Sequence, residues 1–332
     1  MLKLLTQRRL LVLSSGLLIL LLLPVVALAI GDPYLVTLFT RIVIFALAAV
    51  SLDLIVGFGG MVSLGHTAFF GMGAYVVGIF AFHLQDGSPF ASWPFVLDGS
   101  DNALLVWPSA ILLSGLMAAV IGALSLRTTG MQFIMITLAF AQMLYYFFIS
   151  LEVYGGDDGI SMWSRSQLPT LNLGNDTQFY YLCLTLLLLF LFFSWRLVES
   201  RFGRVIRGAR ENNLRMHSLG FPTYRYQLVC FIIAGAGAGL AGALMANQSE
   251  FVSPNLLHWT QSGEILIMVL LGGMGTLFGP ILGAAVLLLM EEILAAYTEH
   301  WLVFLGPFLI LVVLFAKHGL YGLLVGQEVN RD

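Results

Sequence analysis

The sequence predicts an all-α, polytopic membrane protein with about ten crossing helices. Three observations carry this. Hydrophobic residues make up 59% of the 332 residues and charged ones only 10%, against about 25% charged in an average soluble domain. The mean hydropathy is +0.93. The apolar residues also fall in continuous runs of about 20, the length a helix needs to cross bilayer hydrocarbon. This pattern excludes an ordinary soluble enzyme, a secreted disulfide scaffold and a disordered chain. The runs lack the alternation of a membrane β-barrel.

Apolar runs cover 10–30, 34–56, 62–84, 103–126, 130–150, 178–198 and 227–247. A longer stretch covers 263–298 and a last run 301–316. The first run follows Lys3, Arg8 and Arg9. It is longer than the apolar core of a secretory signal, about 7–15 residues, and is taken as a retained span. The 263–298 stretch is broken by Gly272-Gly273-Met274-Gly275 and by Gly279-Pro280, so it is read as two shorter or broken segments. Residues 1–332 are expected to form a single transmembrane domain.

Positive charge sets the orientation, because Lys and Arg are retained on the cytoplasmic side. Lys3, Arg8 and Arg9 place the N-terminus inside. Segment 199–226 carries Arg201, Arg204, Arg207, Arg210, Arg215 and Arg225. Arg127 sits in a short connection and Lys317 follows the last run. By contrast, 85–102 holds Asp86, Asp98 and Asp101 without Lys or Arg, and 248–262 holds only Glu250. Alternating from an inside N-terminus puts 199–226 inside and 85–102, 151–177 and 248–262 outside. Ten crossings return the C-terminus to the inside. The net charge of −3 offers no field that favours nucleic acid.

Engines and metal centres are missing from the pattern. The two lysines, Lys3 and Lys317, follow no glycine-rich phosphate loop, so a P-loop is absent. The six histidines are scattered without ligand spacing. Cys183 and Cys230 sit in apolar runs as small buried residues. No cofactor and no catalytic residue is expected, and if ATP drives this protein, the ATPase is another chain.

Two segments repeat a glycine pattern. Gly59-Gly-Met-Val-Ser-Leu64 is similar to Gly272-Gly-Met-Gly-Thr-Leu277. Broken segments in two halves point to a transporter's central pathway; two helix ends that each need glycine is the plainer alternative. Between 57 and 75, Gly65, Gly71, Gly73, Ala68 and Ala74 form a small-residue surface for close helix approach. Ser63, His66 and Thr67 lie within it, and Gln142 lies in the fifth run. Polar groups in a span face a partner helix or a water-filled path, and these four are the candidates for a path. Asp53, Gln132, Thr137, Asn247 and Glu264 are further polar positions, with no acid–base ladder at helical spacing among them. Gly155-Gly-Asp-Asp-Gly159 is a tight turn presenting Asp157 and Asp158. Helix formers fill 201–219 until Gly220 and Pro222 stop them. That segment makes one or two amphipathic helices, either an anchor against anionic lipid or a docking element.

The ordered series of motifs resembles the permeases of branched-chain amino acid ABC transporters, the second permease subunit most closely. It comprises Val62-Ser-Leu-Gly-His-Thr-Ala-Phe-Phe-Gly-Met-Gly-Ala-Tyr75, Ile136-Thr-Leu-Ala-Phe-Ala-Gln-Met-Leu144 and Gly155–Gly159. It continues through Phe202-Gly-Arg, Arg210-Glu-Asn, Leu219-Gly220 and Ala238-Gly-Leu-Ala-Gly-Ala243. Phe251-Val-Ser-Pro254 and Leu271-Gly-Gly-Met-Gly-Thr-Leu-Phe-Gly-Pro280 complete it. The resemblance implies a multi-pass subunit of a bacterial inner-membrane importer. Its partners would be a related permease, two cytoplasmic ATPases that bind ATP and magnesium, and a periplasmic binding protein. It makes 199–226 a coupling loop that seats in the ATPases, from Arg204 to Leu219, with Arg207, Arg210 and Glu211 as charged contacts. It places Asp157 and Asp158 at the periplasmic mouth, and Ser63 and His66 near the pathway. Relatives that carry urea, short amides or aromatic acids leave the substrate open. A self-sufficient carrier or channel, or an intramembrane enzyme, would need an ion site or a nucleophile–base pair, and neither stands out in the sequence.

Overall fold

In the computed structural model, residues 14–27, 31–89, 99–169, 171–297, 300, 303, 306–308, 310 and 319–325 are described. The described residues are mostly helical, as the composition requires: in lipid, a helix satisfies its backbone amides within its own segment. Helix α1 spans Ser14–Ala27. Helices α2 (Pro33–Asp53), α3 (His66–Asp86), α4 (Ala103–Ser125), α5 (Met131–Ile149) and α6 (Asp176–Glu199) follow. Two short helices, α7 (Arg201–Glu211) and α8 (Asn213–Ser218), lead into α9 (Thr223–Ser249). Then come α10 (Trp259–Gly272), α11 (Gly279–Tyr297) and α12 (Gly319–Val325).

Seven of the described helices are long and apolar enough to cross a membrane: α2 with its continuation to Phe58, α3, α4, α5, α6, α9 and α11. The remaining crossings expected from the sequence fall on α1, on the 14-residue α10 and on the run 301–316, most of which lies outside the described residues. Lys3, Arg8, Arg9 and Lys317 also lie outside them.

The caps follow local chemistry. Asp32 accepts the Tyr34 N–H and Pro33 opens α2; Asn102 and Asn175 accept from Leu104 and Thr177 to open α4 and α6. Each side chain satisfies an amide that the helix leaves free. One boundary departs from the apolar pattern. The run beginning at 62 starts its helix only at His66, because α2 ends in a π-helical turn, Leu54–Phe58, and residues 60–65 follow without helical structure. Gly60, at φ 67°, turns the chain there.

Helix α9 forms the centre, packed against α2, α3 and α4. Its run Ala234-Gly-Ala-Gly-Ala-Gly-Leu-Ala-Gly-Ala243 lets backbones touch. A Cβ at Gly242 would collide with the Phe70 carbonyl oxygen, and one at Gly73 with the Gly239 carbonyl oxygen. Helices α2 and α10 run toward the same end of the bundle, and α3 and α11 run away from it. Tyr34 and Arg41 of α2 meet Glu292 and Glu291 of α11 at one end, and Asp53 meets Gly275 at the other. The two glycine-rich breaks are therefore repeats of one orientation that meet at one end.

Candidate translocation and coupling site

Charge separates the two ends of the bundle. Helices α7 and α8 lie at the end where α4 gives way to α5 and α9 begins, since the Tyr224 hydroxyl donates to the Ala123 carbonyl at 2.9 Å. That end holds Arg127 and the arginines of 201–225. The other end holds Asp86, Asp101, Glu152, Asp157, Asp158, Asp176 and Glu250, gathered around a two-residue antiparallel pairing of Ile160 with Val252 and Ser161 with Phe251. The sequence asymmetry thus becomes a spatial one.

At the acidic end, Asp157 and Asp158 are exposed on their turn. The one arginine of segment 151–177 is an organiser. The Arg165 guanidinium, 11% exposed, lies 2.7 Å from Asp176 and 3.5 Å from Glu250, and stacks over the Phe179 ring. It also donates to the Leu173 carbonyl. This ties the loop to the start of α6 and the end of α9. Arg165→Gln is expected to lower stability by about 2 kcal/mol, less than for a fully buried pair because both acids are half-exposed. A lowered melting temperature of the protein in detergent checks this; an unchanged one contradicts it. Asn247, singled out for its polarity within a span, is also structural: it accepts the Ser166 N–H at 2.7 Å.

Ser63, His66 and Thr67 gather at the break before α3, all buried. Ser63 Oγ accepts the Gly65 N–H. His66 Nε2 lies 2.8 Å from Ser51 Oγ of α2, while its Nδ1 is buried without a partner. The Thr67 N–H donates to Ser262 Oγ at 3.0 Å, and the two hydroxyls lie 2.7 Å apart. His66 and Thr67 therefore bind α3 to α2 and α10. Gln142, on α5, is not bonded to them; its Nε2 is buried and unpartnered. Gln132 instead lines a shallow depression with Thr128, Met131, Met135 and Ile136.

The Thr67–Ser262 link gives a prediction. Hydrogen bonds between membrane helices contribute about 0.6 kcal/mol on average and up to about 1.7. Thr67→Val and Ser262→Ala should each cost about 1 kcal/mol and together scarcely more. Thermal unfolding of the two single variants and the double variant checks this; fully additive losses contradict it.

At the arginine-rich end, Ser200 caps α7 and Asn212 both ends it and caps α8 through the Arg215 N–H. Gly203, Val205, Ile206 and Ala209 face the bundle, while Arg201, Arg204 and Arg207 face out. Arg207 also donates to the Val198 carbonyl at 3.3 Å. Glu211 and α8 are exposed except for the half-buried Met216, with Leu214 82% and Leu219 66% accessible. Arg210 is exposed as well, yet it also reaches the bundle. Its Nη1 donates to the Gly57 carbonyl in the π-helical turn. That bond places Arg210 beside the meeting of two breaks 218 residues apart, Gly57 and Gly275.

Comparison with known proteins agrees with this geometry. The family model described as "Branched-chain amino acid transport system / permease component" matches residues 34–314. The high-affinity branched-chain amino acid transport system permease protein LivM of Salmonella typhimurium is 28% identical over 309 residues, covering 85% of this chain and 68% of the relative. LivM of Escherichia coli K12 matches to the same extent. The autoinducer 2 import system permease protein LsrC of Photorhabdus laumondii is 32% identical over 136 residues, covering 39% of this chain and 41% of the relative. No solved structure matches. Spanning helices, two glycine breaks meeting at one end and an amphipathic arginine helix beneath them fit the family match, and the chain belongs to the permease-component family of branched-chain amino acid transport systems.

Proposed function

We propose that this chain is the membrane subunit of a bacterial ABC importer for branched-chain amino acids, in the inner membrane with α7 and α8 in the cytoplasm. The family match along 34–314 carries this reading. The partners are a related permease, two ATPases seated against α7 and α8, and a periplasmic binding protein meeting the acidic end at Asp157 and Asp158. ATP and magnesium are held by the ATPases. The exposed Leu214 and Leu219, flanked by Arg204, Arg207 and Glu211, supply apolar anchors within a charged rim, the composition of a protein interface. ATP-driven motion of α7 and α8 moves the helix ends above them, which gives alternating access. Selectivity rests with the binding protein, in keeping with the scarcity of fixed charge in the spans. The shorter match to an autoinducer 2 permease favours a second reading, in which the same machinery carries a small polar solute other than an amino acid.

Pull-down of the tagged chain from native membranes in mild detergent, read by mass spectrometry, tests the assembly. Recovery of an ATPase and a second permease supports it. Recovery of the chain alone, even after crosslinking, contradicts it and favours a self-sufficient carrier.

A further inference from the structure

We propose that Asp53 and Arg210 form a clasp that ties the arginine helix to both glycine breaks, so that movement of α7 opens or closes the bundle at this end. The proposal rests on the importer reading and adds two positioning residues to it.

Asp53 is the last residue of α2 and is wholly buried. Its Oδ1 accepts the Gly275 N–H at 2.8 Å, from the hairpin between α10 and α11. Its Oδ2 is buried and has no partner. A carboxylate at this position is costly, and ionisable groups inside a bundle are ordinarily paired. The nearest use for the free oxygen is a cation, and Arg210 is placed to supply it. The guanidinium donates to Gly57, four residues beyond Asp53. A Cβ at Gly60 would lie 2.7 Å from Arg210 Cγ, and one at Gly275 would lie 3.5 Å from Arg210 Nη1. Gly275 is therefore held by the carboxylate through its N–H while the guanidinium lies against it. One side chain of α7 thus touches the end of α2 and the end of α10 together.

The π-helical turn at Leu54–Phe58 gives this junction a hinge, since π-turns are single-turn defects that collect at functional sites. Helix shifts of about 1–2 Å are ordinary in switching transitions. A shift of that size in α7 moves the guanidinium between the Gly57 carbonyl and Asp53 Oδ2. With Arg210 on Gly57 the π-helical turn is held against the hairpin; with Arg210 drawn to Asp53 Oδ2 the Gly57 carbonyl is released and the turn is free to part from the hairpin, while Oδ1 keeps Gly275.

The test uses the complete transporter, with both permeases, the ATPases and the binding protein, in proteoliposomes loaded with ATP. Uptake of leucine and ATP hydrolysis are measured together for wild type, Asp53→Asn, Arg210→Gln and the double variant. The clasp predicts a drop of at least about fivefold in leucine moved per ATP, the scale of a typical coupling between sites, whatever the hydrolysis rate of each variant. The double variant should be no worse than the poorer single one, and Arg210→Lys, which keeps a donor, should restore part of the ratio. A purely structural role instead lowers uptake and hydrolysis in step with the amount of assembled complex. An unchanged ratio in the variants, or losses that multiply in the double, overturns the clasp while leaving the importer reading intact. If Asp53→Asn does not assemble, the contrast between Arg210→Gln and Arg210→Lys decides. A wild-type complex that moves no solute with ATP overturns the importer reading, and the clasp with it.

Discussion

Gly242→Val is expected to leave almost no folded protein in the membrane. The α-carbon of Gly242 faces the Phe70 carbonyl oxygen of α3, and a Cβ there would overlap that oxygen and crowd the Ala74 nitrogen. Backbone atoms cannot rotate away as a side chain can. Either α3 and α9 separate along their length, or α3 unwinds. Overpacking with side-chain neighbours costs about 1–3 kcal/mol; a backbone neighbour places this site at or above the top of that range. Separation would also strip contacts from α2 and α4, which pack on the same central helix. Between helices in lipid there is no hydrophobic driving force to compensate, so close packing carries much of what holds such bundles together. Expression and size-exclusion profiles in detergent check the expectation. Gly263→Ala is the control, because nothing lies within 4 Å of a Cβ at that glycine, and it should accumulate as wild type does. Comparable profiles for the two variants would mean that α3 and α9 are not in backbone contact.

Leu214→Asp combined with Leu219→Asp is expected to abolish uptake while the bundle remains folded. Both leucines are exposed on the short helix α8 and its end, so their loss removes no internal packing. At an interface, apolar anchors of this kind contribute about 2 kcal/mol each, about thirtyfold in affinity. Two together, replaced by carboxylates, should release the ATPases. Co-purification of the ATPases with the tagged chain should fall by at least about thirtyfold, with an unchanged melting temperature for the permease itself. Retained co-purification would move the docking surface elsewhere.

The helices were legible in the sequence because each is an unbroken apolar run in a chain with few charges. The run 103–126 becomes Ala103–Ser125, and 130–150 becomes Met131–Ile149. The division of 263–298 was legible too, because Gly272-Gly273 and Gly279-Pro280 are strong local breakers, and the structure ends α10 and starts α11 at those residues. The arginine segment fits one or two short helices; Asn212, in extended conformation, makes it two. Long-range pairing was not legible. Nothing local tells that Thr67 meets Ser262, or that Arg210 reaches Gly57, because these contacts arise only when distant helices pack. Polarity within a span marked His66 and Thr67 without saying whether they face a path or a neighbour. Their hydrogen bonds to α2 and α10 give both a structural task. The late start of α3 at His66 had a signal in Gly59-Gly60, but hydropathy alone runs through it.

The most direct test of the central claim is transport by the reconstituted assembly. Proteoliposomes carrying this chain, its companion permease and the ATPases are given radiolabelled leucine with the binding protein outside, with and without ATP inside. Accumulation that requires both ATP and the binding protein is the predicted result. Leucine uptake by this chain alone, driven by an ion gradient and indifferent to ATP, would contradict it.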